Sequence, residues 1–584
     1  MCRRWRVAGG FVSLCLCVGL VFSGVAKGNE FWVAIGTNIH NDPRDIYISS
    51  GPGATGTIQN FDGSFNAPFT VPPGGTVIIT IPTFLAPGYT SGEIGNLGLR
   101  ISADNHVIAY LMDTYQPTAS NDLAVLFPTT GIGTEYVVMA YGSDLGYSQF
   151  VVAATEDATQ VTITPKVATS DGKPAGVPFI MTLNAFQTVQ FLASTPQDLT
   201  GTIISSDKPV SVFGGHTCAR VPAPYMACDH LYEQIPPVST WGTEFGLCPT
   251  NRPGCPGDVL RVLAATDGTT VTVMDTGGTA TFNLNRGEYF TLQSTTWLDE
   301  PTYITSNHPV LVGVYMVAGS LCGSWGDPAF ALVPAVNQWA KNYIFNVPIL
   351  YDYNYVSVTV QGASHDTFQL DGAPVDFSAL PIGETGLVCG AISVTEGAHT
   401  VSADSPFLLQ IYGYDDNWGS YFSVGGQVAS GGGGSLHAPE TGEIIMFEDG
   451  GRRMHFMTTY HDEYGNDHIT DVQLKMARGG SSPAEVILAY NVESNLITIE
   501  ETYLGKTKTR GQCMPGEYKM LRGKLLNLNC LKTNVVAAEK TLKVQWVIKA
   551  RKPFAGDKDL LLWVKDKDNS TDGYDLAGTW YSGQ

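Results

Sequence analysis

The sequence predicts an all-β protein built from tandem sandwich-like modules, and three observations carry that reading. Glycine and proline are abundant, 65 and 33 in 584 residues, and they punctuate short alternating runs such as Val271-Thr272-Val273. No long stretch repeats apolar residues at the spacing of an amphipathic helix. A strand-like segment recurs four times, at Ser102–Tyr110, Ser205–Phe213, Thr305–Gly313 and Ser402–Gln410, with steps of 103, 100 and 97 residues. A period near one hundred suits one small sandwich per copy. The alternative is a β-propeller, which needs a half-period of ~40 to 50 residues within each copy, and none is evident.

The chain opens with Arg3, Arg4 and Arg6 before an apolar run from Phe11 to Phe22. Gly24 and Ala26 supply the small residues of a cleavage site, so residues 1–26 read as a cleaved secretory signal. Residues 27–426 hold the four repeats. Each opens on an aromatic residue after a short polar corner, at Phe31, Tyr136, Phe245 and Tyr343. Two of them share a hairpin-like Asp-x-Thr-x-Val-Thr, at Asp157–Thr162 and Asp267–Thr272. Residues 427–442 are a Gly/Ser-rich run that reads as a flexible linker. Residues 443–584 read as a separate immunoglobulin-like sandwich, with strands over 472–476, 486–490, 496–499, 542–548 and 560–564 and with Trp546 and Trp563 as core aromatics.

Charge is uneven along the chain. Between Lys27 and Gly442 there are 11 Lys and Arg against 35 Asp and Glu, whereas Glu443–Gln584 carries 19 of each. An acidic surface argues against nucleic acid as a partner, because phosphate contact requires basic side chains. It suits an exported soluble protein, and secondarily cationic partners or calcium. Beyond the leader no segment reaches the ~20 apolar residues that span a bilayer, so no transmembrane segment is expected.

Eight cysteines follow the leader, an even number on an oxidising export route. Local spacing favours Cys218 with Cys228, Cys248 with Cys255 and Cys513 with Cys530, leaving Cys322 for Cys389. The first pair brackets a Pro- and Ala-rich loop framed by His216, Asp229 and His230. Two histidines and two cysteines are zinc ligand types, but in an exported chain a disulfide-closed loop is the better reading, with no metal bound. His216, Arg220, Asp229 and His230 are the candidate binding residues. Asp566, Asp568 and Asp572 alternate as in calcium loops, a weak candidate because the glycine falls after the last acid. Tyr412, Tyr414, Trp418 and Tyr421 offer rings for a sugar, or a strand-end aromatic cluster. Nucleophile-elbow, zinc-protease and phosphate-loop motifs are missing, so no catalytic residue and no cofactor is expected.

The segments DLTGTIISSDKPVSVFGGHTCARVP, CDHLYEQIPPVSTWGTEF, RVLAATDGTTVTV, PVLVGVY and DPAFALVP together resemble the N-terminal domain of the IgGFc-binding protein family. The resemblance extends over roughly Asn29–Gly426. It implies a secreted or surface-exposed binding protein, and the domain also occurs in bacteria. The tail from Asp467 to Trp580 is similar to an immunoglobulin-like module of bacterial exported proteins. The expected function is therefore a secreted, cell-surface or periplasmic, non-enzymatic binding or adhesion protein, its loops meeting an extracellular protein or glycan. The alternatives are a carbohydrate-binding or carbohydrate-active protein and a structural envelope or matrix component. The stapled loop is expected to be a junction between the second and third repeats.

Overall fold

A computed structural model describes residues 30–40, 43–113, 120–293, 296–349, 351–416, 419–425 and most of 440–582. The leader and nearly all of the linker lie outside the described residues. Among the described residues helical structure is confined to short 3-10 turns, and the strand pairings are antiparallel.

The second repeat shows the plan. Its seven strands are Gly133–Val137, Ser148–Ala154, Thr159–Thr164, Phe179–Leu183, Thr188–Ala193, Ile203–Ala219 and Asp229–Gln234. The first and third strands pair with the sixth near its start, and the fourth pairs with the third. The second and seventh pair with the far half of the sixth, and the fifth pairs with the second. One long bent strand therefore belongs to both layers of a sandwich. The third and fourth repeats follow the same order around Thr302–Tyr315 and Gly397–Tyr414. In the first repeat the long strand is broken into Leu99–Ala103 and Ile108–Asp113, one piece in each sheet.

The recurring sequence segment is the place where the long strand changes sheets. Pro209, Pro309 and Pro406 sit there, and proline suits a point where the ladder is interrupted because it has no N–H to donate. Ahead of them Asp104, Asp207 and Asn307 each accept the backbone N–H that opens the third strand, from Thr55, Gln160 and Thr270 at 2.7, 2.8 and 2.7 Å. The opening aromatics are buried in all four repeats. Where the residue is tyrosine, its hydroxyl donates to a long-strand carbonyl: Tyr136 to Val210 at 2.6 Å and Tyr343 to Phe407 at 2.5 Å. The Asp157 and Asp267 carboxylates accept from Ala185 and Arg286 N–H groups at 3.1 and 2.9 Å, closing equivalent hairpins.

The four repeats close into a ring. Their seventh strands, Leu123–Val125, Asp229–Gln234, Phe330–Val333 and Ser420–Val424, each touch the next, and the fourth returns to the first. Apolar cores run through the junctions: Val151, Phe213 and Tyr232 join the first repeat's core, while Tyr47 and Tyr110 share one with Tyr421 and Val424. A closed circuit is the feature shared with the propeller alternative, but each unit here is a two-layer sandwich rather than a single blade.

The C-terminal sandwich has two six-stranded sheets around Trp546, whose indole N–H donates to Thr458 Oγ1 at 2.9 Å. Its strands cover all five expected positions, and the first, Glu440–Asp449, takes in the last three residues assigned to the linker. Twelve strands exceed the seven to nine of an immunoglobulin domain.

Candidate functional site

The stapled loop follows the long strand of the second repeat, and the Cys218–Cys228 disulfide forms as expected. Its sulfurs are therefore spent in the bridge and are not thiolate ligands. Among the described residues no group of three or more His, Cys, Asp or Glu is placed to hold a metal ion. Asp568 lies outside the described residues, as do the side chains of Asp566 and Asp572. Cys513–Cys530 also forms. The other two pairings differ from expectation: Cys255 bonds Cys322, and Cys248 and Cys389 are buried thiols. Spacing along the chain misled here because Cys255 precedes the second strand of the third repeat and Cys322 follows its long strand, and the pairing of Val259 with Tyr315 brings those two loops together.

Of the four candidate binding residues, three face inward. His216, Asp229 and His230 are buried, and only Arg220 reaches solvent, where it pairs with Asp144 at 3.3 Å. His230 lies on a chain of polar groups that ties the first two repeats together. Its Nδ1 faces the Asp113 carboxylate, which also takes Arg44 Nε at 2.6 Å. Its Nε2 lies 3.1 Å from Gln149 Nε2, which donates to the Thr37 carbonyl at 3.0 Å. Burial would raise the Asp113 pKa, but His230 and Arg44 outweigh it and hold it at about 2. Burial lowers the His216 pKa to about 3, so that imidazole is neutral. Both members of this Asp–His contact are buried.

Glycine explains the tight packing at the base of the loop. A side chain at Gly215 would meet the Leu231 carbonyl at 1.7 Å, so the close approach of the seventh strand demands glycine there.

Sequence reasoning singled out Asp229 but missed the other acids of the ring axis, Asp122, Asp327 and Glu233. Asp122 accepts N–H groups from Tyr232 and Phe330, at 3.0 and 3.2 Å, and so bridges the seventh strands of the next two repeats. Asp229 and Asp327 meet carboxyl to carboxyl; burial and this contact push the pair's pKa up, and it retains a proton. Glu233, 1% exposed, has no hydrogen-bond partner on either oxygen. It lines a small axial cavity walled by Val125, Phe127, Phe245, Val333 and Val424, with room for the centres of a few water-sized molecules, about 40 Å³. Burial, with Asp122 nearby, raises its pKa. A signal was present: an aspartate stands six or seven residues before a proline around the seventh strand in three repeats, Asp122 before Pro128, Asp229 before Pro236 and Asp327 before Pro334.

What reaches solvent is the loop crown. Tyr225 and Met226 are 43% and 51% exposed on the stapled loop. The neighbouring turn, residues 143–147, packs on the loop's base: the Thr217 N–H donates to the Tyr147 carbonyl at 2.9 Å, and Gly146 lies against Cys218. That turn exposes Leu145 and Tyr147, and Tyr147 packs on exposed Tyr89 with ring centres 5.8 Å apart. The loop also touches the third repeat, through Ala318 N–H to Val221 and Met226 N–H to Ser320 Oγ. It is a junction of the second repeat with the third, as expected, and its buried base joins the second to the first. Tyr412, Tyr414 and Tyr421 are core residues, closed to a stacking sugar, and Trp418 lies outside the described residues.

Comparison with known proteins adds the lineage. The profile of the family described as IgGFc binding protein matches residues 122–413, half of the chain. The chain belongs to the IgGFc-binding protein family. The human IgGFc-binding protein is 25% identical over 375 residues, 63% of this chain and 7% of that protein. The matched span of this IgGFc-binding family member includes the stapled loop, the axial acids and two of the three disulfides, Cys218–Cys228 and Cys255–Cys322.

Proposed function

We propose that this chain is an exported, non-enzymatic binding or adhesion protein whose loop crown contacts a protein partner. The observation that carries the reading is the exposure of Tyr225 and Met226 on a disulfide-held loop beside Tyr89, Leu145 and Tyr147. Tyrosine and methionine are enriched in interface cores, and a loop held by a disulfide loses little freedom on binding. Family membership supports binding over catalysis, and the human relative is named for the Fc of IgG. Three disulfides fit an oxidising compartment. Among the described residues no helix is long and apolar enough to cross a membrane.

The test is surface binding of the full chain to human IgG Fc, to a panel of extracellular proteins and to a glycan array. Binding to a protein, weakened at least tenfold by combined Tyr225→Ala and Met226→Ala at unchanged Tm, is the expected result. Unchanged binding in that variant, or capture of glycans alone, would overturn the reading.

A further inference from the structure

Six of the eight cysteines beyond the leader form disulfides, and the remaining two come from different repeats. Cys248 follows the first strand of the third repeat, Gly242–Leu247, and Cys389 lies in Leu387–Ser393 of the fourth. Both are buried in one apolar core.

Backbone geometry brings them together. A side chain at Gly246 would lie 3.0 Å from Leu387 Cδ1 and 3.2 Å from Thr359 Cγ2, so the first strand of the third repeat lies directly on the fourth repeat's sheet. Cys389 is the cross-strand partner of Thr359, and directly opposed residues point to the same face. Cys248 is two residues beyond Gly246, and alternate residues of an extended chain share a face. The two thiols accordingly meet, in side-chain hydrogen-bonding contact.

We propose that Cys248 and Cys389 form a fourth disulfide, a covalent link between the third and fourth sandwiches of the ring. Formation takes two electrons and two protons from the thiols. A low-molecular-weight disulfide of the exporting compartment accepts them, its S–S bond breaking to give two thiols as the Cys248–Cys389 bond forms. Both sulfurs are closed off in the folded ring, which places this step during folding, before the two repeats finish packing. Contact with Cys248, together with burial, pushes the Cys389 thiol pKa up, so a pair left reduced would also be a poor nucleophile once folded.

The measurement uses the full chain exported through an oxidising compartment, then denatured without reductant in excess iodoacetamide. Intact mass shows no carbamidomethyl adduct if all eight cysteines are bonded. Peptide mapping without reduction then recovers a peptide containing Cys248 linked to one containing Cys389. Two adducts, mapped to Cys248 and Cys389, would overturn the proposal, as would a Cys248–Cys255 link. A double Cys248→Ala, Cys389→Ala variant that still yields the other three bonds excludes scrambling.

Discussion

Asp113 is the residue on which the junction between the first and second repeats turns. Asp113→Ala removes the carboxylate that the buried Arg44 Nε and His230 Nδ1 both face. Breaking a buried pair from one side costs about 3–5 kcal/mol, and urea unfolding should show that loss. The axial acids set a pH dependence of known sign. Burial holds Asp122, Glu233 and the Asp229–Asp327 pair protonated where unfolded carboxyls have ionised. Their folded pKa values are raised, so the stability they contribute is full below about pH 4 and is lost as pH rises through the folded values. His216 and Asp113, with folded values lowered to about 3 and about 2, run the other way: the stability they contribute is full above their unfolded values and is lost as pH falls from those toward the folded ones. Several carboxyls oppose one imidazole between pH 4 and 6.5, so the urea midpoint should be lower at pH 8 than at pH 5. Glu233→Gln should match the wild type at pH 4 and exceed it increasingly as pH rises toward 8, by up to about 1.4 kcal/mol per pH unit. A midpoint that rises from pH 5 to pH 8 in the wild type would contradict this. At this scale the sequence was only partly legible. The Cys218–Cys228 bracket could be read from spacing and compartment alone. The inward direction of His216, Asp229 and His230 could not, because the groups they meet are distant in sequence: Asp113 lies more than a hundred residues upstream of His230, and Asp327 about a hundred downstream of Asp229.

The long bent strand is the element that makes one sandwich from two sheets, and its signature was visible as a polar corner followed by an apolar run. Local chemistry made it legible: a side chain that accepts the neighbouring strand's first N–H, then a proline where the ladder breaks. The number of sheets it served was not legible, because pairing on both sides leaves no mark in one strand's own pattern. The opening tyrosines give a direct check. In Tyr136→Phe the Val210 carbonyl and Gly133 N–H lose the hydroxyl that joins them, at 2.6 and 2.7 Å. The third repeat carries phenylalanine in the corresponding strand, at Phe245, so the variant should fold. A cost of about 1–2 kcal/mol is expected for the unpaired buried groups, measured by urea unfolding. The same change at Tyr343, which bridges Ala340 N–H and the Phe407 carbonyl, should cost a similar amount.

Ring closure is a property of the whole chain, and the period near one hundred showed the number of copies without showing that the last returns to the first. The returning contact rests on particular groups: Tyr110 donates to the Val424 carbonyl at 3.3 Å, and Tyr47 packs in a core shared with Tyr421. A repeat removed from this circuit uncovers apolar surface on two neighbours at once, unlike an end unit of a linear array. The core of the C-terminal sandwich, by contrast, is made only of its own residues, from Phe456 to Val564 among those described. Calorimetry of the full chain should therefore show two transitions. Deleting residues 443–584 should leave the ring's transition in place, because no ring core loses a residue. Deleting residues 340–425 should abolish the ring's transition rather than lower it by a quarter, since the first and third repeats both lose their packing partner. A smaller ring that still melts cooperatively near the original temperature would mean that the repeats are energetically independent, and the closed circuit would then be geometry without mutual support.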